Sequence, residues 1–259
     1  YVKVPAVQVA MGRVICSSLL LLLISLFCKD KLTLNCKKDY GLMIMTGLVM
    51  AIHWSSFFQS IQTSSVAIGT ITFSTFPLFL TFLEPLIFHE KIRGKNILNA
   101  LILLLGVLIT IPEFSVENKV TVGILWGMLA SFTYAVMTLS NRYFSSRYKG
   151  RTICLYEQGT AAIALLPALV LVKATWRPVD FAGVATIGFL CTAIAYSLYV
   201  TAQKGVKAQT AGIISGMETV YGIVFALLFL REVPTIRELV GGAVILGIAF
   251  YSSLHSDDD

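Results

Sequence analysis

AIHWSSFFQSIQTSSVAIGTITFSTFPLFLTFLEPLIFHE, residues 51–90, runs its whole length without a lysine or arginine. A helix needs about 20 apolar residues to cross a bilayer. This stretch therefore reads as the end of one span and the whole of the next, with a short turn near Gln62–Ser65. The rest of the chain has the same character: its 259 residues are 56% hydrophobic and 13% charged, with a mean hydropathy of +0.80. Soluble domains are about a quarter charged, because a surface facing water needs polar cover. The balance points to lipid as the solvent, and the fold class expected is all-α and multi-pass.

The 20-residue ruler gives nine spans, near 5–27, 41–61, 66–88, 96–112, 121–143, 152–172, 181–202, 209–230 and 239–254. The run 14–27 has the length of a signal-peptide core, but it extends back through residues 4–11 and no small-residue cleavage site follows. Strand-period alternation is absent, and a helix satisfies its own backbone groups in hydrocarbon. Charge in the gaps tests the count. The odd-numbered gaps hold 13 basic residues: Lys29, Lys31, Lys37, Lys38, Lys91, Arg93, Lys95, Arg142, Arg147, Lys149, Arg151, Lys204 and Lys207. The even-numbered gaps hold five: Lys119, Lys173, Arg177, Arg231 and Arg237. By the positive-inside rule the odd gaps and the C-terminus are expected in the cytoplasm. Trp126 and Trp176 are then expected at the outer interface, as belt aromatics.

Residues 51–90 can be laid on 193–232, AIAYSLYVTAQKGVKAQTAGIISGMETVYGIVFALLFLRE, at an offset of 142 residues without a gap. Trp54 meets Tyr196, Phe57 meets Tyr199, Pro77 meets Thr219 and Glu90 meets Glu232. The gap charges give the two copies opposite senses across the membrane. That is an inverted repeat, a common transporter plan. The repeats are expected at 1–115, with four helices, and 119–255, with five. Two inverted five-helix repeats imply one helix before Tyr1 that this sequence does not include; a natural four-plus-five arrangement is the alternative.

Polar residues at membrane depth are costly and turn toward a cavity or one another. Thr192, Tyr196, Tyr199 and Gln203 share one helix face by spacing, as do Thr70, Ser74, Pro77, Thr81 and Glu84. Tyr134, Thr138 and Asn141 make a third stripe, and His53, Phe57 and Ser60 a fourth. The expected substrate site is His53, Trp54, Phe57, Ser74, Pro77, Tyr134, Thr138, Tyr196, Tyr199, Glu218 and Tyr221, whose aromatics would grip a ligand body. For single Ser and Thr residues, interhelical hydrogen bonding is the plainer reading. Glu218, near mid-span, needs a partner or a proton, and Arg13 is a natural partner. Arg13, Glu84 and Glu157 are the expected structural or coupling residues; Glu157, with Gln158, also reads as interfacial. Gly69 and Pro77 should loosen their helix. The GxxxG pairs Gly123/Gly127 and Gly212/Gly216 read first as close helix contacts and second as a homodimer face.

Several motifs resemble the drug/metabolite transporter superfamily, specifically its EamA-type ten-helix permeases. They are GRVICSSLLLLLISLF (12–27), LIFHEK (86–91), METV (217–220), LLFLREVPTIRE (227–238) and GGAVILGIAF (241–250). Arg13, Glu218, Glu90 and Glu232 fill places the family keeps charged, whereas Thr219 stands where it usually has proline. The resemblance covers nearly the whole chain, with specificity in the order and spacing of short motifs. It implies transport of small metabolites, often amino-acid export, from a plasma membrane, with a Golgi nucleotide-sugar carrier as the eukaryotic alternative.

HExxH, GxSxG, Walker A and GxGxxG after a strand are all absent, and no soluble segment is large enough for an ATPase. The expected protein is thus a secondary permease, not an enzyme, using no cofactor or metal. Its partners are a small-molecule substrate and the bilayer, not nucleic acid, since the basic residues are scattered among gaps. The five cysteines have neither disulfide nor zinc spacing. The rival readings are a membrane-embedded enzyme on lipid substrates, which would need His, Asp or Arg clustered at one interface, and a non-transporting membrane subunit.

Overall fold

The computed structural model describes residues 3–89, 94–113, 115–202 and 208–254, with their side chains apart from 208–216 and 252–254. The readings that rest on Glu90, Lys91, Arg93, Gln203, Lys204 and Lys207 lie outside the described residues. In chain order the elements are α1 (Ala6–Phe27), α2 (Lys37–Thr63), α3 (Val66–Phe73), α4 (Phe76–Phe88), α5 (Gly94–Thr110), α6 (Lys119–Ser145), α7 (Gly150–Leu165), α8 (Ala168–Leu171) and α9 (Pro178–Thr186). A π-helical stretch, Ile187–Tyr196, then leads into α10 (Ser197–Ala202). After it come α11 (Ala208–Phe225), a second π-helical stretch (Ala226–Leu230) and α12 (Ile236–Leu254). The described residues contain no strand. Joined end to end, these pieces make nine helical segments that coincide with the nine spans read from hydropathy. Six of them are long and apolar enough to cross a membrane, and Gly94–Thr110 and Met217–Leu230 are shorter apolar helices.

Two of the breaks within spans fall at prolines, whereas Pro85 lies inside α4 without ending it. Pro77 cannot donate a backbone bond, so the helix stops at Phe73, turns at Ser74–Thr75, and restarts with Pro77 in its first turn. Thr75 N–H bonds back to Thr72 O at 3.1 Å and Ser74 N–H to Thr70 O at 3.0 Å, which closes the end of α3. The predicted weak point at Pro77 is thus a full interruption. Pro167 likewise divides α7 from α8. At Arg177 the chain enters α9 with the Asp180 carboxylate accepting from Arg177 N–H at 3.0 Å and pairing with its guanidinium.

The chain divides into two compact units, and each draws on both halves of the sequence: residues 1–55 with 136–205, and 56–135 with 206–259. In the first, α1 packs on α7, α9 and the π-helical stretch, and α10 packs on α7. Its core includes Val14, Leu21, Met43, Met50, Met137, Phe144, Ile153 and Val200. In the second, α12 packs on α5, α11 and α3 around Ile68, Ile71, Leu103, Val107 and Ile245. Here α5 and α12 meet backbone to backbone at two glycines. A Cβ placed on Gly241 would stand 2.7 Å from Gly106 O, and one on Gly106 would stand 3.2 Å from Gly241 O. Gly123 and Gly127 pack within this unit too, against Ser64 and Thr72.

The outward surfaces are apolar. Leu19, Leu23 and Leu26 on α1, Leu98, Leu101 and Leu105 on α5, and Leu228 and Phe229 are all exposed. In water such surface would drive aggregation; in lipid it is the stable surface. Trp176 is held inside its unit, its Nε1–H donating to Gln8 Oε1 at 2.9 Å, while Trp126 is 39% exposed.

Segment 28–36 of the first unit is tied down by polar contacts. Asp30 accepts from Lys149 Nζ at 2.7 Å and Arg151 Nε at 2.9 Å. Tyr148 hydroxyl accepts from Asn35 N–H at 2.9 Å and donates to Asp39. The Lys149 hydrogen bond is the main cause that holds the Asp30 carboxyl below its usual range, against the cost of burial, with Arg151 adding to it.

Two outcomes follow. Gly241→Leu forces a branched side chain into the α5–α12 contact, and overpacking of this kind costs about 1–3 kcal/mol. Thermal unfolding in detergent should show a lower Tm than wild type, and an unchanged Tm would contradict the contact. Asp30→Asn should also lower Tm at pH 7. Because the folded carboxyl titrates below the unfolded value of about 3.9, the clamp is fully in place above that value and is lost as pH falls through the lowered one. The gap between variant and wild type should therefore close at acid pH; a gap that is constant with pH would show the clamp contributes nothing through its charge.

Candidate functional site

The expected site residues divide between the two units. His53, Trp54, Thr138, Tyr196 and Tyr199, with Arg13 and Glu157, belong to the first; Phe57, Ser74, Pro77, Tyr134, Glu218 and Tyr221, with Glu84, belong to the second.

In the first unit two polar clusters form on successive turns of the π-helical stretch. The lower is built on Arg13, which is 5% exposed despite its charge. Its Nε donates to Thr192 Oγ1 at 2.9 Å, and its guanidinium lies 3.4 Å from the centre of the Trp54 ring. A guanidinium is the cation best suited to stacking on an aromatic face, where part of its lost hydration is replaced. His53 is wholly buried, its ring meeting Trp54 edge-on at 4.6 Å. Thr192 also bonds back to Ile187 O, five residues earlier, at 2.9 Å. Arg13 is therefore anchored to the widened helix itself.

The upper cluster gathers around Tyr196. Its hydroxyl donates to Glu157 Oε2 at 3.2 Å and accepts from Asn141 Nδ2 at 2.9 Å, so one hydroxyl ties α6, α7 and the π-helical stretch together. Glu157 and Gln158 have no exposed surface, and Asn141 has 2%. Glu157 Oε1, both amide atoms of Gln158 and Asn141 Oδ1 are buried without a hydrogen-bond partner among the described residues. Tyr199 stacks beside Tyr196, the ring centres 6.4 Å apart. Glu157 and Gln158 both lie inside the unit, packed away from its surface.

In the second unit the aromatic residues make their own cluster. Phe73 stands edge-on to Tyr134 at 4.8 Å and to Phe57 at 5.4 Å, with Phe76 edge-on to Tyr134 at 5.1 Å. Edge-to-face pairs of this kind add about 0.5–1.5 kcal/mol beyond the area they bury. Ser74 bonds to Thr219, whose hydroxyl donates to Thr70 O at 3.0 Å. Thr219, in the place of a proline, thus ties α11 to the break between α3 and α4. Pro77 and Glu84 are half-buried, while Glu218 and Tyr221 are exposed. Glu232 has a structural task, its Oε2 accepting from Val66 N–H at 3.0 Å where α3 begins.

The stripes drawn from spacing included Asn141 and Thr192. Gln158, next to Glu157 near the start of its span, shares no stripe with them by spacing. Among the described residues, no group of three or more His, Cys, Asp or Glu side chains could hold a metal ion.

The chain is similar along most of its length to proteins described as uncharacterized transporters. One from Archaeoglobus fulgidus is 24% identical over 215 residues, covering 82% of this chain and 77% of the relative. Another, from Helicobacter pylori strain J99, is 27% identical over 247 residues, covering 90% and 80%. A solved crystal structure superimposes with a TM-score of 0.69 at 15% identity, covering 98% of this chain and 88% of the other; it shows the shared fold. The EamA-like transporter family model matches residues 1–111 and 121–254, and with the helical spans and apolar outer surface this establishes the chain as a membrane protein that belongs to the EamA-like transporter family.

Proposed function

We propose that the chain is a secondary transporter for a small metabolite, an amino acid or a similar compound, working across the plasma membrane with its C-terminus in the cytoplasm. Its two repeats, 1–115 and 119–255, would thread the bilayer in opposite senses and expose a site to each side in turn. Family membership supports transport as the task. The observation that carries the reading is the burial of Asn141, Glu157 and Tyr196 together, with Gln158 buried next to Glu157 on α7, inside helices that turn apolar surface outward. Bare hydrogen-bonding groups in such a setting are costly unless a ligand or a moving step uses them. Tyr199, half-buried and stacked beside Tyr196, offers an aromatic face to the apolar part of a metabolite.

Purified protein in liposomes should take up at least one member of a panel of labelled amino acids, sugars and nucleosides. Absence of flux for the whole panel, from a chain carrying any helix that precedes Tyr1, would remove the reading. Tyr199→Ala should lower that flux by up to about tenfold with the folded yield unchanged, since an aromatic contact contributes about 0.5–1.5 kcal/mol. Normal flux from the variant would take Tyr199 out of the site. Threading is read separately: single cysteines at Lys37, Lys149 and Lys207 should react with an impermeant thiol reagent from one side, and a cysteine at Ser64 from the other. Reaction of Ser64 with the first group would overturn the inverted arrangement.

A further inference from the structure

Glu157 is a carboxyl group with no exposed surface, and Tyr196 is its single hydrogen-bonding partner among the described residues. Neighbouring elements close in on it. A Cβ placed on Gly47 of α2 would stand 2.7 Å from Glu157 O, so the α2 backbone passes directly against this turn of α7. Asn141 reaches Tyr196 from α6, and α1 packs along α7. The charged and titratable groups around it are countable. α1 carries Arg13 and Cys16; α2 carries Lys37, Lys38, Asp39, Tyr40 and His53 within this unit. α6 carries Arg142 and Tyr143 there, the π-helical stretch and α10 carry Cys191, Tyr196 and Tyr199, and α7 itself carries Arg151, Cys154 and Tyr156. None of the cations among them is bonded to Glu157: Arg13 is engaged with Thr192 and Trp54 one turn away, and Arg151 with Asp30.

A carboxylate with one neutral donor and no cation is an expensive thing to bury, and the same group with a proton is not. Carboxyls at membrane depth with this character mark proton pathways. The position of Tyr196 adds the means of control. It is the last residue of a ten-residue π-helical stretch, and π-helical turns are rare and recur at functional sites. A change of register there would carry Tyr196 toward or away from Oε2. It would thereby give or withdraw the one hydrogen bond that supports the ionised form. Arg13 holds the middle of the same stretch through Thr192.

We propose that Glu157 is a proton-binding site, with Tyr196 on the π-helical stretch governing whether the proton is held. The step is the reversible gain or loss of one proton at a Glu157 carboxyl oxygen, exchanged with water. It serves the transporter reading as a route for coupling to a proton gradient, but protonation itself is measured without any substrate.

Infrared difference spectra of the reconstituted protein, recorded as pH is stepped, read the carbonyl stretch of a protonated carboxylic acid directly. Wild type should show such a band that disappears on raising pH, and Glu157→Gln should lack that component. In Tyr196→Phe, which keeps the ring and removes the donor, the band should persist to higher pH. This variant leaves Glu157 intact, so it decides the matter even where Glu157→Gln fails to fold. Identical titrations for wild type and Glu157→Gln would overturn the proposal, as would a Tyr196→Phe band that disappears at the wild-type pH. Loss of the infrared signature with panel transport intact would sink this inference alone. The signature without transport would sink the transporter reading alone.

Discussion

In hydrocarbon a backbone N–H has no water to bond, so each residue must find its partner within the helix or lose several kcal/mol. That constraint orders everything else in this molecule. Wherever the helix is interrupted, some other group takes up the freed backbone. At Ser74–Thr75 the N–H groups still reach Thr70 O and Thr72 O, and Thr219 reaches across from α11 to Thr70 O. At the start of α3 the Glu232 carboxylate takes the Val66 N–H, and at the start of α9 Asp180 takes that of Arg177. The interruptions are therefore also places where polar side chains are held.

The same economy governs the charged side chains. Arg13 is buried on an aromatic face and a threonine hydroxyl, Asp30 between two cations at the end of the spans, and Glu157 against one tyrosine. The first two have partners suited to their charge. Glu157 does not, and this contrast within one unit singles it out among the carboxyl groups there.

Much of the fold was legible in the sequence because lipid enforces a simple rule of length and polarity. The nine spans follow from it, and Pro77 announced the break in the third. The division of the chain into two units was not legible from the repeat, since packing pairs segments from both halves. The burial of Glu157 and Gln158 escaped notice because position along a span says nothing about which helices wall that turn. Asp30, set between Lys29 and Lys31, reads as a solvated charge; its clamp depends on Lys149 and Arg151, more than a hundred residues away. The π-helical stretch IGFLCTAIAY has no glycine pair or proline to betray it, and its signal is tertiary: Arg13 on Thr192 and Glu157 on Tyr196.

Helical phase gives the π-helical stretch a further consequence. Widening a helix admits residues that an ordinary α-helix would not accommodate over the same rise. One residue of an α-helix turns the chain by about 100°. Loss of a single residue between Ile187 and Tyr196 would let the segment relax to regular geometry, the narrower turn making up for the missing residue, so that Val200 keeps its place in the core. The width of the turn thus absorbs a change of residue count that a regular helix would pass on to every later side chain.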